Sequence, residues 1–253
     1  MVMINKMGFY NQFASYYNDV FPLSVEKLNF LSTKFTDTDD GNKILDIGTA
    51  TGSYAIALAE EGYQVSAVDL NQEMIKLARL RVVNSNLAVN FKVADMLKLD
   101  KLYSENYFNG IYCIGNVLVH LDTKKDIKKA LGIMAKLLKP KGVVIIQIIN
   151  YQRILKNNVT QLPVIINEDK GITFSRRYLL EDSKDKIRFI TNLSIDKGVR
   201  NSYQNTIKLL PLLPDELLDI LGEIGFQDVK LYASFSGEGF NEQAVPCIAV
   251  GRL

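Results

Sequence analysis

Between Lys43 and Asn150 short apolar runs alternate with longer amphipathic ones, and that alternation constrains the fold more than any other feature. Lys43-Ile44-Leu45-Asp46-Ile47 is a compact apolar run stopped by glycine. Gln64 to Leu70, Val89 to Val93 and Gly110 to Ile114 are three more, and Val143-Val144-Ile145-Ile146 reads as a strand buried on both faces. Ser53 to Glu61 is alanine-rich and helical. Asn71 suits the cap of a helix whose Ile75, Leu77, Ala78 and Leu80 are apolar. A further helix from about Thr123 to Leu138 is broken by Lys139-Pro140-Lys141-Gly142. Strand, helix, strand, repeated, predicts a parallel sheet covered by helices on both faces, with right-handed crossovers. The expected fold is therefore α/β, a Rossmann-like doubly wound sheet. Ligands of such sheets bind beyond the carboxyl ends of the strands.

The pattern changes after Asn150. From about Pro163 to Ile207 alternating runs such as Lys186-Ile187-Arg188-Phe189-Ile190-Thr191 are separated by Glu168-Asp169-Lys170-Gly171 and Asp196-Lys197-Gly198, which predicts a small antiparallel β insert after the fifth strand. A helix is expected at Pro214 to Ile224. Strands near Val229 to Ser234 and Ala244 to Gly251 should return to the main sheet. Residues 41–155 and 209–253 then form the core, and residues 156–208 the insert.

Composition narrows the function. A net charge of +2, with acids and bases interspersed, leaves no basic stripe for nucleic acid and no polybasic tail for a membrane surface. A small polar partner suits this surface. One histidine, His120, rules out a histidine-rich metal centre, and no metal is expected. Cys113 and Cys247 sit among apolar residues and read as buried free thiols. The longest apolar run, Gly142 to Ile149, is too short to span a bilayer, and the N-terminus lacks a signal-peptide pattern, so a cytoplasmic protein is expected, monomeric or homodimeric.

The chemistry concentrates at Leu45-Asp46-Ile47-Gly48-Thr49-Ala50-Thr51-Gly52, between the first strand and the first helix of the sheet. Gly48 and Gly52 allow a sharp turn and a close approach of backbone to a ligand, and the helix start presents free N–H groups. A plain tight turn has the same composition. Asp69 ends the second strand, where a carboxylate suits a ribose diol; the alternative is a helix cap, although Asn71 already suits that role. Asp95, after the third strand, is placed either to accept the exocyclic amine of adenine, with Met96 on the ring, or to be a solvated loop acid.

Asp-Ile-Gly-Thr-Ala-Thr-Gly, Val-Asp-Leu, Ala-Asp-Met and Leu-Lys-Pro-Lys-Gly, in that order over about 100 residues, resemble the class I S-adenosylmethionine-dependent methyltransferases. The resemblance implies S-adenosyl-L-methionine as cofactor and S-adenosyl-L-homocysteine as its product. It implies that Asp46, Gly48, Ala50 and Gly52 meet the methionine end, and that Asp69 holds the ribose with Leu70 beside the adenine. Asp95 and Met96 would bind the adenine, Ile114 would lie near the sulfonium, and Met74 would complete the set. It also implies that residues 1–40 form a helical lid, with Tyr17 rather than Tyr16 covering the cofactor; an amphipathic helix packed on the sheet is compatible with that role. Acids here are favourable to a ligand carrying a sulfonium and an amine.

Cys113-Ile114-Gly115-Asn116-Val117-Leu118-Val119-His120-Leu121 is similar to a stretch of glycine N-methyltransferase and related small-molecule N-methyltransferases, as are Asn150-Tyr151 with Ile154-Leu155, and Val245-Pro246-Cys247. That similarity implies acceptor contacts from Asn116, His120, Tyr151 and, in the insert, Tyr178. Where that family grips the substrate carboxylate with arginine this chain has Ile149, so either Arg153, Arg176 or Arg177 replaces it or the substrate is not glycine; the second is favoured. His120 is a candidate to accept a proton or orient the acceptor, or else a satisfied histidine at a helix start. Asn116 suits donation to cofactor or acceptor, or a helix cap. The reaction expected is an in-line displacement at the sulfonium methyl by a nitrogen of a small molecule, driven mainly by positioning. The alternatives are a nicotinamide-dependent oxidoreductase, disfavoured because Gly-x-Gly-x-x-Gly is missing, an RNA methyltransferase, and a non-catalytic cofactor-binding protein of the same fold.

Overall fold

The computed structural model describes residues 13–36, 42–180, 185–196 and 200–253. Residues 1–12 and 37–40 of the expected lid, and Lys197-Gly198 in one of the expected turns, lie outside the described residues.

A seven-stranded sheet forms the centre. Its strands are β1 (Lys43–Ile47), β2 (Gln64–Asp69), β3 (Val89–Val93), β4 (Phe108–Cys113), β5 (Leu138–Ile149), β10 (Gln227–Tyr232) and β11 (Pro246–Arg252), in the order β10-β11-β5-β4-β1-β2-β3. The first five run parallel, with Asp46 level with Ala67 on one side and Tyr112 on the other. The last two strands do return to it, and β11 lies antiparallel to β5, so the sheet is mixed. β4 and Val143–Ile148 are buried throughout, as apolar runs at the middle of a covered sheet must be. β5 begins earlier than the Pro-Gly break implied, because Leu138 already pairs with Phe108 before the ladder shifts register; the turn survives at Lys141, whose φ is 64°.

The helices are α2 (Val25–Thr36), α3 (Ser53–Glu60), α4 (Gln72–Val82), α5 (Lys124–Leu137) and α7 (Pro214–Ile224), with short helices α1 (Tyr17–Val20) and α6 (Tyr151–Lys156). α5 buries Ile127, Ala130, Leu131, Met134 and Leu137, one stripe at helical spacing, and Thr123 caps it by accepting from the Asp126 N–H. α7 has Pro214 in its first turn and ends at Gly225, φ 111°. α2 crosses β4 where a Cβ on Gly110 would meet the Phe35 ring at 2.5 Å, so only glycine admits that packing. Phe30 of the same helix packs edge-on against Tyr232 and Phe235. The N-terminal helical region thus divides: α2 belongs to the layer covering the sheet, and α1 alone stands over the strand tips.

The insert is the expected antiparallel sheet, slightly longer than predicted: β6 (Gln161–Asn167), β7 (Ile172–Leu180), β8 (Ile187–Asp196) and β9 (Arg200–Leu209), in that order. Its turn at Gly171 has φ 63°. Part of its inner face joins the main core through Tyr178, Ile187, Ile207 and Leu209. The rest, Ile172, Phe174, Leu193 and Ile195, packs with Phe13, Ala14 and Val20 of the N-terminal segment and with Ala50 and Met74. Phe13 and Phe174 stack with centroids 5.1 Å apart. The N-terminal segment therefore packs on the insert and the glycine loop rather than flat on the sheet.

Candidate functional site

The site is built at the carboxyl ends of β1, β2 and β4. Gly48, Ala50 and Gly52 have φ of 79°, 50° and 79°, a succession that folds the chain back within five residues before α3 begins. Asp69 organises this loop. One carboxylate oxygen accepts the Ala50 N–H at 2.9 Å and the other the Asn71 N–H at 2.8 Å. Asn71 then caps α4, accepting from Met74 N–H at 3.0 Å. Asp69 is therefore no helix cap; it clamps two loops, and its carboxylate still has acceptor capacity for a ligand. Burial raises its pKa, opposed by the N–H bonds of Asn71, Ala50 and Leu70.

Asp46, buried under the loop, is the second acid. Burial pushes its pKa up to about 7, the Thr49 and Tyr112 hydroxyls oppose that rise, and the Asp69 charge adds to it. Those two hydroxyls face the carboxylate and lower its pKa, yet neither completes a regular hydrogen bond within the described residues. A buried and a half-buried acid, with unpaired hydroxyls beside Asp46, form a site short of positive charge.

Asp95 lies two residues beyond β3 and caps the short 3-10 helix Met96–Lys101, accepting the Leu97 N–H at 2.9 Å, with Lys98 3.5 Å away. Met96 is half-buried. Leu70 is exposed. Ile114 and Asn116 follow β4. Asn116, with φ 64°, is neither a cap nor free: its Oδ1 accepts the Ile149 N–H at 2.9 Å and its Nδ2 donates to the Tyr151 hydroxyl at 2.9 Å. Tyr151 is completely buried and Tyr178 nearly so, 6.5 Å apart between ring centroids, in the seam between sheet and insert. His120 is half-buried at the end of the 3-10 turn Leu118–His120. The turn is tied to the exit of the insert by the Leu210 N–H on the Val119 carbonyl, 2.9 Å.

Asn18 of α1 pins the N-terminal segment to the loop, accepting from Thr51 Oγ1 at 2.5 Å and Ser53 Oγ at 3.2 Å, and Asn167 Nδ2 ties it to the insert through the Asp19 carbonyl at 3.1 Å. Tyr17 packs edge-on against Phe13. The structure thus brings Tyr17, Asp46, Gly48, Ala50, Gly52, Asp69 and Met74 together, with Asp95 and Met96 beyond the neighbouring strand. Sequence reasoning missed Asn18 and Gln147. Gln147 is the lone polar residue in an apolar run; its Oε1 accepts the Gly115 N–H at 2.6 Å and its carbonyl the Asn116 N–H. A cleft of about 340 Å³ outside α4, lined by Gln72, Lys76, Arg79, Leu80, Val83 and Val93, includes none of the strand-tip acids.

Arg153, Arg176 and Arg177, the candidates to replace the arginine missing at Ile149, do not converge. Arg177 points outward from the insert, and Arg176 lies on the inner face with Nη2 donating to the Pro163 carbonyl at 2.9 Å. Both cysteines are buried and free. No helix among the described residues is long and apolar enough to cross a membrane.

Comparison with known proteins agrees with this geometry. Residues 44–142 match a methyltransferase domain family. The chain is 26% identical over 193 residues to a glycine/sarcosine N-methyltransferase of Aphanothece halophytica, covering 76% of this chain and 69% of that protein. In fold it is similar to an S-adenosylmethionine-dependent methyltransferase of Clostridium acetobutylicum, with a TM-score of 0.80 at 18% identity over 96% of this chain and 98% of the other. It is also similar to an amino pentose methyltransferase of Micromonospora echinaspora, solved with S-adenosylmethionine bound: TM-score 0.70, 16% identity, 94% and 95% coverage. The strand order, the acid-clamped glycine loop and these matches agree: residues 44–142 carry a methyltransferase domain, the fold is that of the class I enzymes, and the chain is an S-adenosylmethionine-dependent methyltransferase with S-adenosylmethionine as its cofactor.

Proposed function

We propose that this enzyme methylates a nitrogen of a small molecule that is not glycine, working in the cytoplasm as a monomer or homodimer. The observation that carries the proposal is the enclosure of the strand tips by the N-terminal segment and the insert, joined through Phe13, Phe174, Ala50 and Met74. A roof of this kind suits a small acceptor. The named activities of the glycine/sarcosine and amino pentose relatives favour nitrogen. Ile149 speaks against glycine, because its side chain cannot grip a carboxylate.

In this reading Asp69 receives the ribose diol, Asp46 faces the cationic end of the cofactor, and Gly48, Ala50 and Gly52 bring backbone N–H groups to the methionine portion. Asp95, Met96 and Leu70 border the adenine, and Met74, Ile114 and Tyr17 close over the ligand. The cofactor, when bound, supplies a methyl carbon activated by cationic sulfur. The chain's own task is to exclude water and hold the acceptor in line, an effect of about 7–11 kcal/mol in well-oriented systems. His120, at the mouth between β4 and the insert, is assigned the acceptor's proton; Asn116, Tyr151 and Tyr178 shape the wall behind it. An acceptor screen read by release of S-adenosylhomocysteine, with mass spectrometry of the product, tests the proposal. Methylation at nitrogen of a compound other than glycine is the expected result. A product methylated only at oxygen or carbon overturns it.

A further inference from the structure

Among its buried positions the inner face of the insert is apolar except in one rung. Register across the sheet aligns Phe174, Leu193 and Tyr203 in one row and Tyr178, Phe189 and Ile207 in another; between them lie Arg176, Thr191 and Asn205, directly opposite one another. The first row belongs with the N-terminal segment and the glycine loop, and the second with the main core. The polar rung therefore sits where the two cores meet. Thr191 is 4% exposed and Asn205 2%. Thr191 Oγ1, Asn205 Oδ1 and Arg176 Nε are all buried without a hydrogen-bond partner among the described residues. Arg176 makes one bond, from Nη2 to the Pro163 carbonyl, and its guanidinium lies 5.9 and 5.8 Å from the Phe21 and Phe174 ring centres.

Buried polar atoms are almost always paired, and an unpaired one is destabilising. Valine and leucine fill such positions without that penalty. Three unpaired atoms gathered in one rung, where the two cores meet, offer hydrogen-bonding capacity to a ligand. Their chemistry limits it. Arg176 Nε only donates, Asn205 Oδ1 only accepts, and Thr191 Oγ1 does both. A hydroxyl answers all three, whereas a carboxylate has no proton for Asn205. Nη2 is already engaged, which competes with the paired Nε–Nη2 contact that a carboxylate takes. The aromatic rings of the flanking rows suit the C–H faces of a saturated ring.

We propose that Arg176, Thr191 and Asn205 form the acceptor-recognition site, and that they bind the hydroxyl groups of a hydroxylated amine without a carboxylate, an amino sugar or amino alcohol, rather than an amino acid. This rests on the N-methylation reading above. The guanidinium also disfavours an acceptor that arrives protonated, in keeping with a nitrogen that must present its lone pair.

The test uses the full chain with Thr191→Val, Asn205→Leu and Thr191→Ser, and four probes: glucosamine and 2-aminoethanol against glycine and sarcosine. The two apolar variants should melt higher than wild type when free of ligand, by about 2–4 °C each. They should bind S-adenosylhomocysteine within twofold of wild type. On the hydroxylated amines their kcat/KM should fall at least tenfold, mostly through KM, and Thr191→Ser should recover most of that loss. A lower melting point for both apolar variants, turnover they leave unchanged, or a wild type that methylates neither hydroxylated amine overturns the proposal. Failure of wild type to bind S-adenosylhomocysteine instead sinks the reading beneath it, so the two failures are distinguishable.

Discussion

The strand tips and the inner face of the insert differ in how their polar groups are used. At the strand tips the acids are already committed: Asp69 clamps Ala50 and Asn71, Asn71 caps α4, and Asp95 caps the helix after β3. On the insert, Arg176, Thr191 and Asn205 hold buried atoms without a hydrogen-bond partner among the described residues, as the Thr49 and Tyr112 hydroxyls do beside Asp46. The first arrangement fixes geometry before a ligand comes. In the proposed reading the second keeps hydrogen-bonding capacity for an acceptor at some cost in stability. One cofactor serves a whole family, whereas the acceptor differs from member to member.

The sharpest way to break this contrast is Asp69→Ala. It removes the loop clamp together with the proposed ribose contact, and two hydrogen bonds to a charged acceptor at about 1.5–3 kcal/mol each predict a loss of S-adenosylhomocysteine affinity of at least about 100-fold. Calorimetry checks it; an unchanged affinity would mean that the tips are scaffold only. His120→Ala probes the opposite end. Turnover should fall by about 100-fold, the lower range for a lost general base, with cofactor affinity unchanged. Equal losses of both would place His120 on the cofactor side.

Asp46 supplies a pH test. Its folded pKa of about 7 lies above the ordinary 3.8, so between about pH 4 and 7 the folded chain holds a proton the unfolded chain has released. The ligand-free protein therefore loses stability as pH rises through that window and levels off above it. Binding of a cationic ligand runs the other way, since it needs the carboxylate. S-adenosylmethionine should bind about tenfold more tightly at pH 8 than at pH 6. Asp46→Asn should flatten both trends and stabilise the free protein at pH 8, measurable by titration calorimetry and thermal melts. The smallest effect belongs to Asn18→Ala, which removes the α1 contacts with Thr51 and Ser53. About 1 kcal/mol, or fivefold in affinity, is expected. A larger loss would make the N-terminal segment part of the clamp rather than a cover.

How much of this was legible in the sequence follows the same division. The glycine loop and its acids are local: Asp46 to Gly52 and Asp69 to Asn71 each span a few residues, so spacing along the chain is spacing in the site. The insert was legible as alternating runs ended by turns, and its rung was not. Arg176, Thr191 and Asn205 are separated by 14–15 residues and meet only through strand register, which sequence patterning leaves free. Arg176 stood out only as one of three arginines that could replace the carboxylate grip missing at Ile149. Asn116 read as a cap or a ligand donor because its real partners, Ile149 and Tyr151, lie one strand away. Gln147 stood out in an apolar run, but its purpose appears only when β4 and β5 are side by side. The division of the N-terminal helices likewise depends on a tertiary fact, the fit of Phe35 over Gly110.

Titration calorimetry of the intact chain with S-adenosylhomocysteine, with NAD as control, tests the cofactor site at the tips of β1 and β2 most directly. One equivalent of S-adenosylhomocysteine bound per chain, and no heat from NAD, is the predicted result. Saturable heat from NAD with none from S-adenosylhomocysteine or S-adenosylmethionine would contradict it.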